Sequence, residues 1–363
     1  MLFPTADVMV NPALLLLLGL ILGTLSGFFG VGGGFLVTGG LLVFGIPAPF
    51  AVGTGLTVIM GSSIINTLKH RSLGNVDIKL GIIMVCGTIP ALFVAQWIIQ
   101  QLKVAGLAEP VIRYVYVVVL AALGLFIVND YLRIRRRSAA GPGEVSTARL
   151  VQRVQSLRIP PHSVWIPGFG KVSTYVALPI SGIDRISIFV PLAVGLAAGL
   201  FAGLLGAGGG TILMPILIFV LGVPTTIAIG TDLFQLIITG SVGTLIKAAS
   251  NEVDPLMVII MLVSASLGSQ LGATATRVID AARIRILFGL TVLSGSVAVG
   301  LEQASKMGAG NEALSTAASF LLLGFGGAIC LLIAGMTIAA KRSKGVQPEV
   351  SVVEAPETHG AGD

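Results

Sequence analysis

The stretch "GTLSGFFGVGGGFLVTGG", residues 23–40, places a cluster of glycines in the middle of an otherwise apolar run. Glycine in a helix interior costs about 1 kcal/mol relative to alanine, so consecutive glycines interrupt a helix. A similar pattern returns as "GLFAGLLGAGGGTILMPI" at residues 199–216. We call residues 30–34 (GVGGG) the first glycine break and residues 206–210 (GAGGG) the second glycine break.

The two breaks belong to an internal duplication. When Gly32 is aligned on Gly208, six glycines of the first stretch fall on glycines of the second. The similarity continues after each break with "GIP" or "GVP", and then with "AVGT" at residues 51–54 or "AIGT" at residues 228–231. A match that persists over this distance indicates two copies of one structural unit.

The composition is that of an integral membrane protein. Of the 363 residues, 55% are hydrophobic and only 10% are charged, against about 25% charged residues in an ordinary soluble domain. A helix needs about 20 apolar residues to cross the hydrocarbon core. The apolar spans lie near residues 12–30, 34–45, 50–68, 79–102, 110–132, 186–205, 210–222, 226–248, 255–277, 284–301 and 313–340.

The positive charges predict the topology. Eighteen of the 22 lysines and arginines lie in four clusters beside these spans, within residues 69–79, 133–185, 277–285 and 341–344. Basic residues accumulate in cytoplasmic loops, and no basic groove interleaved with aromatics suggests nucleic-acid binding. With all four clusters in the cytoplasm, the N-terminus lies outside, the C-terminus is cytoplasmic, and the two copies enter a bacterial cytoplasmic membrane from opposite faces.

The sequence thus predicts an all-α polytopic membrane protein with two inverted-topology repeats, whose glycine-broken helices meet near the bilayer midplane. The predicted units are a first transmembrane repeat (1–132), a cytoplasmic loop (133–185), a second transmembrane repeat (186–301), an additional transmembrane helix (302–340) and a disordered cytoplasmic tail (341–363). The small-residue stripes at "GLILGTLSG" and "GLAAGLFAG" predict close helix packing and are compatible with a homodimer.

The glycine breaks are the predicted substrate site. A backbone that leaves helical geometry at membrane depth must be buried in protein or line a cavity, and the helix that begins after it presents free N–H groups that attract anions. A plain loop is the alternative interpretation. The predicted substrate-binding residues are Gly32, Gly33, Gly34, Thr38, Thr54, Thr57, Asn66, Gly208, Gly209, Gly210, Thr211, Thr231 and Gln235.

Two charged side chains in the second copy need separate interpretations. Asp232 is the only charged residue between Arg185 and Lys247; it carries a coupling proton, caps the start of the helix near residue 226, or sits at the cytoplasmic boundary. Lys247 either extends its amine to the membrane surface or attracts anions to the entrance of the transport pathway. The two cysteines and three histidines form no cluster that predicts a disulfide, a metal site or a cofactor.

The motifs resemble those of the TauE/SafE family of sulfite and sulfonate exporters. The resemblance rests on "GFFGVGGGFLVTGGLLVFGIP" and "GLLGAGGGTILMPILIFVLGVP", each followed by "AVGT" or "AIGT", and it covers most of residues 12–300. It implies a secondary transporter, not an enzyme, for a small sulfur-containing anion such as sulfite or an organosulfonate. The long segment 133–185 and the span 313–340 depart from the family pattern.

An anion channel, an intramembrane enzyme and a membrane sensor also remain compatible with the sequence. An anion channel would need a continuous polar lining, which the sparse polar residues disfavour. A membrane sensor would signal through the segment 133–185, whose arginines are also suited to anionic membrane lipid.

Overall fold

The computed structural model describes residues 2–3, 5–31, 33–138, 146–156, 163–166, 170–206, 208–307 and 312–343. Each of the eleven apolar spans forms a helix there. The helices are α1 (Pro12–Phe29), α2 (Gly34–Val43), α3 (Ala48–Arg71), α4 (Ile78–Val104), α5 (Ala108–Ser138), α6 (Ser146–Gln155), α7 (Phe189–Leu205), α8 (Gly210–Ile216, continued by a π-helical turn Leu217–Leu221), α9 (Thr225–Ala249), α10 (Pro255–Ala275), α11 (Ala281–Met307) and α12 (Glu312–Ser343).

The protein is a multi-pass, all-α membrane protein, as predicted. Eight of the described helices are long and apolar enough to cross a bilayer, whereas α2, α7 and α8 are shorter. The short strands form antiparallel hairpins outside these helices. They are β1 (Leu2–Phe3), β2 (Val8–Met9), β3 (Ser163–Ile166), β4 (Gly170–Ser173), β5 (Tyr175–Leu178) and β6 (Ile183–Ser187).

Both glycine breaks interrupt their helices. Helix α1 ends at Gly30 with φ 75°, and α2 begins after Gly33 with φ 67°. Helix α7 ends at Gly206 with φ 66°, and α8 begins after Gly209 with φ 79°. All four residues adopt the left-handed conformation, which glycine tolerates and residues with a Cβ rarely adopt. The consecutive glycines therefore act as a stop for one helix and a start for the next.

The small-residue stripes make the closest helix contacts, which confirms their predicted packing role. Helix α1 lies along α10, and α7 lies along α4; a methyl group on Gly23 would collide with the Ala265 carbonyl, and one on Gly195 with the Met84 carbonyl. Small residues at such positions let two backbones approach closely. Both seams join helices that come from different copies, so the two copies are interlocked.

Equivalent helices of the two copies pack side by side in opposite directions. Along α3 and α9, Leu56 lies against Gly243, and Met60 lies against Gly240. Residue numbers thus rise on one helix as they fall on the other. The same order holds between α5 and α11, in the pairs Val117 with Ser296 and Ile127 with Gly289.

The segments predicted to be a loop and a disordered tail contain helices and strands in part. The predicted loop 133–185 contains the end of α5, helix α6 and two β-hairpins. Helix α11 runs to Met307, beyond the predicted end of the second repeat at residue 301. The first residues of the predicted tail 341–363 form the end of α12, and residues 344–363 lie outside the described residues.

Candidate anion site at the paired glycine breaks

The structure brings the two glycine breaks into contact. A methyl group in place of a hydrogen of Gly210 would lie 3.0 Å from the carbonyl oxygen of Val31, in the first break. Thr38, one turn into α2, donates a 3.0 Å hydrogen bond from its hydroxyl to the carbonyl oxygen of Gly206, in the second break. This bond satisfies a carbonyl that the end of α7 leaves free. Residues far apart in sequence thus form one small region of irregular backbone.

Each break also packs on a helix of the other copy. A methyl group on Gly30 would lie 2.6 Å from Ile229 Cα in α9, and one on Gly206 would lie 2.5 Å from Val52 Cα in α3. Val52 and Ile229 occupy the same place in "AVGT" and "AIGT". The two breaks therefore occupy equivalent surroundings, related by the repeat.

We call the region where the two glycine breaks meet the junction. Asp232 lies there, next to Gly210. Its side chain is fully buried, and neither carboxylate oxygen has a hydrogen-bond partner among the described residues. A methyl group on Gly210 would lie 2.6 Å from Asp232 Oδ2 as well as 3.0 Å from the Val31 carbonyl. Because an isolated buried carboxylate is unfavourable by many kcal/mol, the group needs a proton or a cation in this position. The capping interpretation does not apply, since α9 begins at Thr225, seven positions earlier.

Thr211 and Gln235 are close in sequence to Gly210 and Asp232, and each has a buried polar atom without a described hydrogen-bond partner. Thr211 follows Gly210 in α8, and its buried hydroxyl has no partner among the described residues. Gln235 lies one turn after Asp232; its amide nitrogen donates to Thr88 Oγ1 at 3.0 Å and to Thr239 Oγ1, while its carbonyl oxygen has no described partner. Unpaired buried polar atoms are uncommon in folded proteins, which makes these atoms candidates for contact with a substrate.

Thr54 and Thr231 have a structural function in this conformation. The hydroxyl oxygen of Thr231 accepts a 2.9 Å hydrogen bond from the main-chain N–H of Asp77, which is the N-cap of α4. The hydroxyl oxygen of Thr54 accepts an equivalent 3.1 Å bond from Asp254, the N-cap of α10. Each threonine thereby fixes a helix start that belongs to the other copy.

Thr57 and Asn66 make hydrogen bonds with α9 and α1. Thr57 is in the seam between α3 and α9, where its hydroxyl accepts a 3.2 Å hydrogen bond from Thr244. Asn66 donates to Ser26 Oγ at 3.0 Å and lines a cavity of about 370 Å³ between the ends of α3 and α10, together with Lys69.

The predicted glycines that the structure describes all lie at the breaks. Gly33, Gly34, Gly208, Gly209 and Gly210 are buried at the breaks. Gly32 lies outside the described residues.

Sequence reasoning missed Thr88, and it missed Lys103 and Glu252 as the partners of Lys247. The Thr88 hydroxyl in α4 accepts a hydrogen bond from the Gln235 amide and donates one to the Gly195 carbonyl oxygen at 3.1 Å. A lone threonine in an apolar span gives no signal of such a role in the sequence. Glu252 bridges Lys103 and Lys247. Their charges are visible in the sequence, but Lys103 is about 150 residues from its partners, so only folding brings them together.

The sequence matches one family model and resembles curated membrane proteins. The family model described as sulfite exporter TauE/SafE matches residues 15–299 and, in a second match, residues 190–343. The chain is 22% identical over 288 residues to the probable membrane transporter protein YunE of Bacillus subtilis, with 77% of this chain and 94% of that protein covered. It is 44% identical over 75 residues to the probable membrane transporter protein MJ0441 of Methanocaldococcus jannaschii, which covers 19% of this chain and 28% of that protein. No solved structure matches.

Proposed function

The chain belongs to the sulfite exporter TauE/SafE family and is a membrane transporter, and we propose that it carries a small sulfur-containing anion, sulfite or an organosulfonate, by alternating access. The observation that carries this proposal is the contact between the two glycine breaks, in which Gly210 lies between Val31 and Asp232. Irregular backbone at the centre of two repeats is where secondary transporters hold their substrates.

The chemistry of the junction suits a transported anion. Helices α2 and α8 both begin there, so main-chain N–H groups without an intrahelical acceptor are available from each copy. Among the described residues, the nearest neighbours of the break glycines include no lysine or arginine. A site made of main-chain dipoles and hydroxyls binds an anion more weakly than a buried ion pair does, which favours release as well as capture.

The antiparallel packing of α3 on α9 and of α5 on α11 supports the inverted-topology repeat. An inverted repeat gives the protein two related conformations, one open to each side of the membrane. Rocking of the two copies as rigid halves would, however, separate the glycine seams between α1 and α10 and between α4 and α7. We therefore infer that these two helix pairs are the moving units, because each pair keeps its close packing and contains one broken helix.

Asp232 is the proposed coupling residue. In the neutral form its carboxyl group is tolerated in the buried junction, and loss of the proton would place a negative charge beside the anion site. Binding of the anion and binding of a proton would then favour each other. This coupling is asymmetric, since the equivalent position in the first copy is Gly55.

The proposal is tested by flux of radiolabelled sulfite and of a labelled organosulfonate into proteoliposomes, with and without a pH gradient. Saturable flux that responds to the gradient is expected for a coupled transporter. An ohmic current that does not saturate would indicate a channel instead. Absence of flux for every sulfur-containing anion would exclude the proposed cargo and favour a sensor that acts through residues 133–185.

A further inference from the structure

A buried group of charges lies at one end of the α3–α9 seam. Lys103 at the end of α4 and Lys247 in the last turn of α9 both donate to the carboxylate of Glu252, which lies between α9 and α10. Lys103 Nζ contacts Oε1, and Lys247 Nζ lies 2.9 Å from Oε2. We call these three residues the lysine–glutamate cluster.

The cluster holds two positive charges and one negative charge; Lys247 and Glu252 are buried, and Lys103 is partly exposed. The side chains of Lys247 and Glu252 are 2% and 3% exposed, and that of Lys103 is 35% exposed. Removing an ammonium group from water costs several kcal/mol unless an anion faces it. Two ammonium groups share one carboxylate here, so each is compensated only in part. Two convergent ammonium groups form a site for the oxygens of an anion, and Glu252 supplies those oxygens in this conformation.

The cluster is continuous with the candidate anion site. Gly53 packs against the Glu252 carbonyl, and the preceding residue, Val52, packs against the second glycine break at Gly206. One turn below Lys247, Thr244 and Thr57 are joined by a hydrogen bond of 3.2 Å across the seam. Along α9, polar side chains continue at Thr239, Gln235 and Asp232.

We propose that Lys103 and Lys247 form a second anion-binding site, where an oxyanion on its way to or from the glycine breaks displaces the Glu252 carboxylate. The inference rests on the proposed function, because it assigns the same class of anion to both sites. Sulfite, sulfonates and carboxylates all present two oxygens that accept from two ammonium groups. The displacement exchanges one anion for another and needs no change in the charge of either lysine.

The exchange also has a mechanical consequence. Lys103 belongs to the α4–α7 pair, while Glu252 belongs to the connection that leads into α10. The cluster therefore joins the two moving units at this end of the seam. An anion that takes the place of Glu252 breaks this connection and frees one unit to move relative to the other.

Equilibrium binding to the purified full-length protein tests the site without requiring transport. In Glu252→Gln the competing carboxylate is removed, and we expect sulfite and acetate, measured by titration calorimetry, to bind roughly tenfold tighter than to the wild type, a change of about 1.4 kcal/mol. In Lys103→Gln, at the partly exposed end, we expect binding of sulfite to weaken roughly tenfold, because one of the two ammonium donors is lost. Asp280→Asn, which removes the carboxylate of the exposed pair with Arg283 at 3.7 Å, is the matched control and should bind as the wild type does.

Each outcome decides the question. Unchanged affinity in folded Glu252→Gln would overturn the inference; if that variant does not fold, unchanged affinity in Lys103→Gln would overturn it equally. Wild-type flux of sulfite with unchanged binding in both variants would reject the second site and leave the proposed function in place. Absence of wild-type flux, together with tighter binding of acetate to Glu252→Gln, would reject the proposed cargo and keep the site.

Discussion

The substitution Gly210→Ala tests the paired glycine breaks directly. Gly210 is the first residue of α8 and has no positive φ, so alanine is compatible with its backbone. The added methyl group would lie 2.6 Å from Asp232 Oδ2 and 3.0 Å from the Val31 carbonyl oxygen. The substitution therefore perturbs the contact between the two breaks, not the ability of either break to form.

The size of the effect follows from these distances. Non-bonded heavy atoms are best separated by about 3.5 Å, so the methyl group must push Asp232 or the first break away by a substantial fraction of an ångström. Overpacking of this kind typically costs about 1–3 kcal/mol. If the strain falls on the conformation that binds the anion, the affinity decreases by about 5- to 150-fold.

The assay is the initial rate of labelled sulfite uptake into proteoliposomes as a function of sulfite concentration, with thermal unfolding of the purified protein measured in parallel. We expect a reduced kcat/KM together with a retained cooperative unfolding transition. Gly327→Ala in α12 is the matched control, because its methyl group would meet no other atom within 4 Å. Alanine also favours a helix over glycine by about 1 kcal/mol, so this control should transport normally.

Normal kcat/KM in Gly210→Ala would refute the proposed site at the breaks. A second comparison locates the strain. Asp232→Ala removes the nearest of the three atoms that the methyl group meets, so Gly210→Ala should destabilise this variant less than it destabilises the wild type. An equal loss of stability in both backgrounds would place the strain elsewhere.

The remaining predictions concern coupling, the fold and the topology. Asp232→Asn removes the titrating group, so sulfite flux should persist and lose its dependence on the pH gradient; retained dependence would exclude Asp232 as the proton carrier. Thr231→Val and Thr54→Val each leave a buried helix-start N–H without its acceptor, so both should lower stability in thermal unfolding by about 1–3 kcal/mol; a loss in only one would contradict their equivalent roles. In a background without native cysteines, Ser72→Cys should react with a membrane-impermeant thiol reagent from the cytoplasmic side and Val104→Cys from outside; labelling of both from one side would refute the predicted topology.

Helix positions and the breaks were predictable from local sequence. Apolar length sets where a helix crosses a bilayer, and three consecutive glycines interrupt a helix, so both signals lie within contiguous residues. The helix bounds differ from the apolar spans mainly at the ends, where polar residues extend a helix beyond the hydrocarbon. Helix α11, for example, continues through Glu302 to Met307.

The role of each polar residue was less predictable, because it depends on which helices meet. Thr54 and Thr231 stand near the glycine breaks in sequence, yet their hydroxyls accept hydrogen bonds from helix starts of the other copy. Asp232 is visible in sequence as a lone carboxylate, but its place beside Gly210 depends on the packing of α9 against α8.

The sequence by itself determined that this protein is a duplicated, multi-pass helical membrane protein with one glycine break in each copy, since hydropathy, repetition and glycine content are properties of contiguous residues. Only the tertiary structure decided that α1 lies along α10 and α4 along α7, that Val31 meets Gly210, and that Lys103 reaches Glu252. These contacts join residues separated by more than a hundred positions, and their free energy arises from the complementary shapes and charges of surfaces that exist only after the helices have formed.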